Sequence, residues 1–351
     1  MSTYIGLDLH NNYSFVTAMD EKGKITAPQQ KISNNEGDIL NFMSQFEDPV
    51  VAVEATHNWY WLMNLFEDQG IESELTHAKK AKAIASAKIK TDKISSEVLA
   101  HLLRSDLLPT AFVLPREKRE TRDLLRHRAA LTGVRTGLKN RIHSVLAKFN
   151  LHCPFTDLFG KGGRAWLKQA PLPGNYQVTT DNYLTLIDTI DSQIEQVTEI
   201  IHGIAEHNPA AVLLDEIPGI DYYSALLVVM EVGDIKRFQD HRHFCSYLGI
   251  VPSTHTSGNT NYTGRITKEG NKWLRWIVIE AAQKAQLNPH NPYNRMYLKI
   301  LRKKGHAKAR VAVGRKIAVA IYHMLSKNEH FKLPLSLSRQ RQDMRSDIAV
   351  G

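Results

Sequence analysis

With 351 residues, of which 42% are hydrophobic and 23% charged, the chain has the length of two or three domains and the composition of an ordinary soluble protein. Two cysteines without a Cys-x-x-Cys exclude a disulfide framework and a zinc ribbon, and no apolar run is long enough for a membrane span, so we expect a cytoplasmic protein. Lys and Arg outnumber Asp and Glu by 45 to 36, and the net charge of +9 favours polyanionic partners.

The first predicted element is a buried strand in the apolar stretch from Thr3 to His10, which carries a carboxylate. Apolar residues alternate there with Gly6 and Asp8, as is typical of an extended chain within a sheet. An unpaired charge inside a sheet is unfavourable by several kcal/mol. We therefore expect Asp8 to have a binding partner, and a metal ion is the usual one.

The next elements follow the order of a ribonuclease-H-like domain, over residues 1–110. Three antiparallel strands come first, and helices and strands then alternate. That fold gathers carboxylates from its first strand, a neighbouring strand and a later helix. The predicted elements are strands Tyr13 to Met19 and Ile25 to Ile32, helix Asp38 to Phe46, strand Pro49 to Glu54, helix Trp59 to Gln69, strand Ile71 to Leu75, and helices Ala78 to Lys90 and about Asp92 to Leu103.

Two long helices with heptad patterns are predicted over residues 111–208. They run from Arg116 to Asn150 and from about Thr180 to His207, and a region rich in helix breakers, Cys153 to Pro173, separates them. Such patterns indicate an antiparallel coiled coil, either within the chain or across a dimer. The apolar positions are Leu124, Leu131, Leu138, Ile142, Val145 and Phe149, then Tyr183, Ile187, Ile190, Ile194, Val197, Ile201 and Ile204.

Residues 209–330 are predicted to be mostly helical. A helix, the turn Ile217-Pro218-Gly219-Ile220 and a helix from Tyr222 to Glu231 resemble a helix-hairpin-helix, whose backbone N–H groups can bind a DNA phosphate, although such turns are common between helices. After a helix from Arg242 to Gly249, we expect a functional polar loop from Ile250 to Arg265. The later helices are Glu269 to Leu287, Asn291 to Lys303 and Ala307 to Lys327, and residues 331–351 are expected to be a disordered tail.

These last helices are strongly basic. No carboxylate lies between Glu280 and Glu329, although Lys and Arg recur throughout. A block of one sign indicates phosphate binding, whereas the alternative is a basic surface helix pair. The candidate nucleic-acid contacts are Arg265, Lys268, Lys272, Arg275, Arg302, Lys303 and Lys304.

Three carboxylates form the candidate metal site. Asp8 and Glu54 end apolar strands and Asp92 begins a helix, so they can meet despite their separation in sequence. Oxygen-only ligands favour Mg²⁺ or Mn²⁺, and such ions stabilise the attacking and leaving oxygens in phosphoryl transfer. For any one of these carboxylates alone, a surface charge or a helix cap is the simpler reading.

Six short motifs, in order along nearly the whole chain, resemble the insertion-sequence-110 transposases and the related Piv DNA invertases. They are Ile5-Gly6-Leu7-Asp8, Val53-Glu54-Ala55-Thr56, Lys90 to Ile94 with Glu97 to Ala100, Ile217-Pro218-Gly219-Ile220, Tyr247 to Pro252, and Ser257-Gly258. The resemblance implies a RuvC-like domain with a four-carboxylate magnesium site, a coiled coil and a C-terminal transposase domain with a serine nucleophile. It also implies a prokaryotic protein, guidance by a bridge RNA, donor and target DNA as partners, and a dimer that assembles into a tetramer.

Position by position, Asp8, Glu54 and Asp92 match three of the family's metal ligands, and Ser257 matches its nucleophile. The fourth ligand position departs from the family, because Ser95 stands where the pattern Thr-Asp-x-x-Asp has a carboxylate. A hydroxyl is a poor ligand for a hard cation. Either the site is weakened, or Ser95 holds a metal through water. We therefore expect an RNA-guided transposase that rejoins DNA through a covalent serine–DNA intermediate, with activity that is impaired by Ser95.

Other functions remain open from the residues. A RuvC-type junction endonuclease would use the same carboxylates to activate water and would form no covalent adduct. A nucleic-acid-binding protein that has lost catalysis would fit Ser95 and the basic helices. A sugar kinase shares the first motif, but it needs a Gly-Thr-rich phosphate loop where this chain has His10-Asn11-Asn12-Tyr13.

Overall fold

The computed structural model describes residues 2–77, 80–81, 84, 92–257 and 260–332, and the side chains of 92–95, 254–257, 260, 261 and 263 lie outside this description. The chain divides into two compact units, Met1–Arg116 and Glu117–Gly351. Within the described residues no helix is long and apolar enough to cross a membrane. The predicted helix from Ala78 to Lys90 and the predicted tail fall mostly outside the described residues.

The first unit is built on a five-stranded mixed sheet. Its strand order is β3-β2-β1-β4-β5, with β1, β2 and β3 antiparallel and with β1, β4 and β5 parallel. The predicted order, three antiparallel strands and then alternating helices and strands, is confirmed. The elements are β1 (Ser2–Leu9), β2 (Tyr13–Met19), β3 (Ile25–Ser33), α1 (Glu36–Met43), β4 (Asp48–Glu54), α2 (Trp59–Asp68), β5 (Glu72–Thr76) and α3 (Asp92–Arg104).

The two faces of this sheet are covered differently. On one face Ile5, Leu7 and Leu9 are at most 1% exposed and pack in one core with the apolar residues of α1 and α2. On the other face, here called the α3 face, α3 crosses β1 so closely that a Cβ at Gly6 would lie 1.8 Å from the carbonyl oxygen of Ser96. Glycine at position 6 is therefore required by the packing of a helix against a strand backbone.

The second unit begins with two long helices, α4 (Arg116–Lys148) and α6 (Gly174–Glu206), joined through a short α5 (Lys161–Gln169). The short helix lies in the region that we expected to be irregular, and α6 begins earlier than expected. The two long helices pair antiparallel within the chain: Arg128 donates to Thr198 and Arg135 to Asp191, both at 2.7 Å and one heptad apart. Charge favours this pairing, because α4 is rich in Arg and Lys, whereas α6 contains Asp and Glu but no Lys or Arg.

The rest of this unit is a helical core with one β-hairpin. Its helices are α7 (Pro209–Asp215), α8 (Tyr222–Val232), α9 (His241–Tyr247), α10 (Lys272–Leu287) and α11 (Asn294–Lys327), and the hairpin strands are β6 (Pro252–Ser257) and β7 (Thr260–Ile266). The prediction of a polar loop from Ile250 to Arg265 is therefore wrong, because most of this segment forms the two strands of the hairpin. The segment is rich in β-branched Thr, but polar residues on both faces remove the hydrophobic alternation by which strands are recognised. The last two predicted helices form one element, α11, which is interrupted only at Gly305, where φ is 79°.

Candidate functional site

Asp8 and Glu54 lie at matching positions on neighbouring strands. The parallel register of β1 and β4 pairs Leu7 with Val53, so the next residue of each strand is a carboxylate. Neighbouring strands are about 4.8 Å apart. Asp8 is only 6% exposed and Glu54 is half-buried. The sheet thus brings two acidic side chains to its α3 face, at the carboxyl ends of two parallel strands.

The start of α3 lies over the same end of the sheet. Ser96 lies against Gly6, and at the other end of α3 the Arg104 guanidinium donates to the Glu21 carbonyl in the β2–β3 turn, at 3.2 Å. Because β1 and β2 are antiparallel, that turn marks the amino end of β1, so α3 runs from the carboxyl end of β1 towards its amino end. Four helical residues rise about 6 Å, and two strand residues rise about 6.6 Å. The backbone of Asp92 is therefore level with Asp8.

The donor set suits a hard divalent cation. Among the described side chains no group of three or more His, Cys, Asp or Glu residues is arranged to hold a metal ion. The third predicted ligand, Asp92, and the departing position, Ser95, have side chains outside that description. Two neighbouring carboxylates, one of them almost fully buried, are the oxygen ligands that Mg²⁺ and Mn²⁺ prefer. The described part of the site thus fits the predicted cation.

The segment after Asp8 is held by contacts that sequence reasoning missed. The His10 carbonyl accepts two amide hydrogen bonds, from Asn34 at 2.7 Å and from Asn58 at 3.0 Å. The Thr56 hydroxyl donates to the side-chain oxygen of Asn58 at 2.7 Å. These bonds join the end of β1 to the end of β3 and to the loop that follows Glu54. Asn in short loops after strands was the available signal.

Ser257, the predicted nucleophile, is the last residue of β6, where it pairs in register with Thr260. Its side chain and the two residues at the hairpin tip lie outside the described part. The base of the hairpin is defined by backbone hydrogen bonds, from Thr267 to Val251 at 3.0 Å, and from Lys268 to Gly249 at 3.1 Å. A fixed base limits the directions in which the strand ending at Ser257 can point.

A buried charged network holds this base. Glu231 is 4% exposed and accepts two hydrogen bonds from Arg126, at 2.7 and 2.9 Å, and a third from the Asn271 amide at 2.7 Å. The side-chain oxygen of Asn271 accepts hydrogen bonds from backbone N–H groups at the start of α10. The backbone N–H of Asn271 donates to the Tyr247 carbonyl. The network therefore ties α4, α8 and the hairpin base together.

Two family models match the chain. A model described as the transposase IS116/IS110/IS902 family matches residues 211–299, and a transposase model of the DEDD type of IS110 matches residues 5–151, together about two thirds of the chain. The chain belongs to the IS110 family of transposases. The first match covers most of α7, then α8, α9, the hairpin, α10 and the first turn of α11, and the second covers the sheet, α1, α2, α3 and α4.

Two curated transposases are similar to this transposase over nearly its full length, and a gene-inverting protein is similar to less than half of it. The transposase for insertion sequence element IS1111A of Coxiella burnetii is 24% identical over 344 residues, which cover 93% of this chain and 91% of the relative. A probable family 20 transposase of Pseudomonas aeruginosa is 24% identical over 347 residues, 93% and 98% of the two chains. The pilin gene-inverting protein of Moraxella bovis is 28% identical over 156 residues, 44% and 48% of the two chains.

The predicted nucleic-acid contacts of the transposase fall on the hairpin, α10 and α11. Arg275 is half-buried, and its guanidinium donates to the Leu248 carbonyl at 2.8 Å, so it contributes to the hairpin base. The Lys272 ammonium lies 5.3 Å from the centre of the Trp273 ring. The exposed members are Arg265, Lys268, Lys272, Arg302, Lys303 and Lys304, and the last three immediately precede the break at Gly305.

The turn that resembles a helix-hairpin-helix has a structural role in this fold. Gly219 has φ of 104°, and a Cβ there would lie 2.9 Å from the Ala281 carbonyl of α10. Asp221 caps α8 by accepting from the Ser224 N–H at 2.9 Å. Burial raises the pKa of Asp221, but the bonds from Ser224 and the charge of Lys284 outweigh it, so the pKa falls below its usual value. The Asp221 carboxylate thus satisfies one of the free backbone N–H groups at the start of α8.

Proposed function

We propose that this transposase cuts and rejoins DNA through a covalent link to Ser257, with a divalent cation at Asp8, Glu54 and Asp92. Its family membership supports transposase activity on DNA. The observation that carries the metal site is the placement of Asp8 beside Glu54, with the start of α3 above them. Mg²⁺ or Mn²⁺ would there offset the negative charge of the scissile phosphate.

In the proposed reaction the Ser257 hydroxyl attacks phosphorus. The bond from phosphorus to one DNA oxygen breaks, the serine proton is passed to a base or to the departing oxygen, and a phosphoserine ester forms. A free serine hydroxyl is a weak nucleophile, so this step requires activation at the site. The new ester conserves the energy of the broken one, and attack by another DNA hydroxyl then rejoins the strand without ATP.

An SDS-resistant protein–DNA adduct is the test of the nucleophile. Ser257→Ala should abolish the adduct, whereas Ser253→Ala, a matched change on the same strand β6, should retain it. An adduct that persists in Ser257→Ala would refute the proposed nucleophile. Cleavage that never yields an adduct, even in the unchanged protein, would instead favour a junction endonuclease that activates water.

We also propose that Ser95 weakens the cation site. Position 95 lies one helical turn before Leu99, which packs against Ala52 of β4, so its backbone lies towards Glu54. A carboxylate there would add a ligand on that side. We expect Ser95→Asp to raise Mg²⁺-dependent cleavage, and unchanged cleavage across a magnesium titration would count against the proposal.

Guidance by a bridge RNA and assembly from dimer to tetramer belong to the same proposal. The net charge of +9 and the carboxylate-free stretch between Glu280 and Glu329 support a polyanionic partner. If a guide specifies the sequence by base pairing, the protein needs mainly shape and backbone contacts, as in guided recognition elsewhere. Sequencing the nucleic acid that copurifies with the transposase tests this: a single structured RNA is expected, and its absence would oppose it.

A further inference from the structure

A cluster of aromatic rings lies beside the proposed cation site. The rings of His10 and Tyr13 are stacked, with centres 4.8 Å apart, and Phe15 meets both edge-on, at 5.9 and 5.5 Å. The Lys31 ammonium lies 3.8 Å from the centre of the Tyr13 ring. Three rings and one cation thus form a continuous surface, here called the ring platform, made of His10, Tyr13, Phe15 and Lys31.

The ring platform shares the α3 face with Asp8. Phe15 is the registered partner of Asp8 across the antiparallel β1–β2 pair, and partners in register project to the same face. His10 Nε2 lies 3.6 Å from a carboxylate oxygen of Asp8. Lys31 is in turn the registered partner of Phe15, on the edge strand β3. A nucleic-acid strand that enters from the β3 edge would therefore meet the rings before it reached the Asp8 carboxylate.

The exposure of these side chains differs from that of core residues. Ser14 and Val16, which alternate with the ring residues along β2, are fully buried, and the buried tyrosines Tyr293 and Tyr297 are also at 0%. By contrast Tyr13 and Phe15 are half-buried and Lys31 is exposed. Half-exposed rings beside a cation form a surface on which a nucleobase stacks while the ammonium meets a neighbouring phosphate.

We propose that the ring platform binds one nucleobase of a single strand whose adjacent phosphate enters the carboxylate site. The inference rests on the proposed function, because it assumes that the ligand at Asp8 is a nucleic-acid phosphate. In the free protein Lys31 covers one face of Tyr13. A base displaces the ammonium from that face, and the ammonium then pairs with the phosphate beside it. The stacking would not depend on which base is bound, since every base has a π-face.

The probe is a single-stranded 15-nucleotide DNA that contains one 2-aminopurine, whose fluorescence falls on stacking. With the full chain and Mg²⁺, we expect quenching on binding. Tyr13→Ala should remove the quenching and weaken binding by roughly 5- to 150-fold, the range for loss of one stacked base. Tyr13→Phe keeps the ring and should behave as the unchanged protein. Lys31→Gln should keep the quenching and reduce the slope of log affinity against log salt by about 0.7.

The control is a similar ring cluster in the other unit. Lys148 lies 5.3 Å from the Tyr176 ring centre, and Phe149 meets that ring edge-on at 4.9 Å. Tyr176→Ala should leave quenching and affinity unchanged. The proposal is overturned if the unchanged protein does not quench the probe, or if Tyr13→Ala quenches it equally. If Tyr13→Ala lowers the melting temperature, its effect on binding is not used, and the Lys31→Gln variant tests the proposal instead. A salt slope in Lys31→Gln that equals that of the unchanged protein overturns the proposal.

The two proposals fail in different ways. An adduct that persists in Ser257→Ala, together with quenching that depends on Tyr13, refutes the nucleophile and leaves the ring platform in place. An adduct that requires Ser257, together with quenching that ignores Tyr13, refutes the ring platform alone.

Discussion

The hairpin base depends on the buried carboxylate of Glu231. Removing the guanidinium of Arg126, which pairs with this carboxylate, should therefore destabilise this part of the second unit. The Glu231 side chain is 2% exposed, and that of Arg126, its bidentate partner, is 34% exposed. Breaking a buried pair by removing one member costs about 3–5 kcal/mol, because an uncompensated charge remains. The Asn271 bond to Glu231 survives, and Arg126 is partly solvated already. We therefore expect Arg126→Ala to cost about 2–4 kcal/mol.

The reverse change should cost less. Glu231→Gln leaves no buried charge, retains an oxygen acceptor, and frees a guanidinium that water can reach, so we expect a loss of about 1 kcal/mol. The exposed pair between Arg135 and Asp191, with side chains 31% and 40% exposed, supplies a matched control. Arg135→Ala should cost less than about 1 kcal/mol.

Hydrogen exchange against denaturant is the suitable assay, because a chain of two units need not unfold in one step. Amides of α8 and of the first turn of α10 should exchange faster in Arg126→Ala, and those of the sheet in the first unit should not change. The reasoning is refuted if Glu231→Gln costs as much as Arg126→Ala. It is equally refuted if Arg126→Ala costs no more than Arg135→Ala.

Three further predictions concern packing and capping. Gly6→Ala would place a methyl group 1.8 Å from the Ser96 carbonyl oxygen, so the first unit should melt at a lower temperature, and unchanged melting would contradict the close crossing of α3. Gly133→Ala, whose added methyl meets nothing within 4 Å in the interior of α4, should raise stability to denaturant by up to about 1 kcal/mol, and a loss would argue against an open helix face there. Asp221→Ala should cost about 1 kcal/mol through loss of the α8 cap. Because the folded pKa of Asp221 is lowered from 3.8, its contribution is complete above that pH and is lost as pH falls through the folded pKa, so the difference from the unchanged protein should shrink in acid denaturation; a constant difference would contradict it.

Local patterns in the sequence were sufficient for the elements that depend on neighbours along the chain. The alternation around Asp8 predicted β1, and the heptad spacing predicted α4 and α6, because side-chain periodicity follows directly from strand and helix geometry. The order of strands and helices in the first unit followed in the same way. The motifs also located the acidic positions at strand ends, since such positions are defined by where apolar runs stop.

Long-range contacts were decided only by the tertiary structure. The hairpin that carries Ser257 lacks an apolar face, and its strands are recognisable only once they pair. Arg126 and Glu231 are 105 positions apart, so no periodicity relates them. The position of α3 along β1, which places the backbone of Asp92 level with Asp8, depends on the contact between Gly6 and Ser96. Sequence periodicity therefore determines which segments form strands and helices, whereas packing and hydrogen bonds between distant segments determine which of their side chains meet.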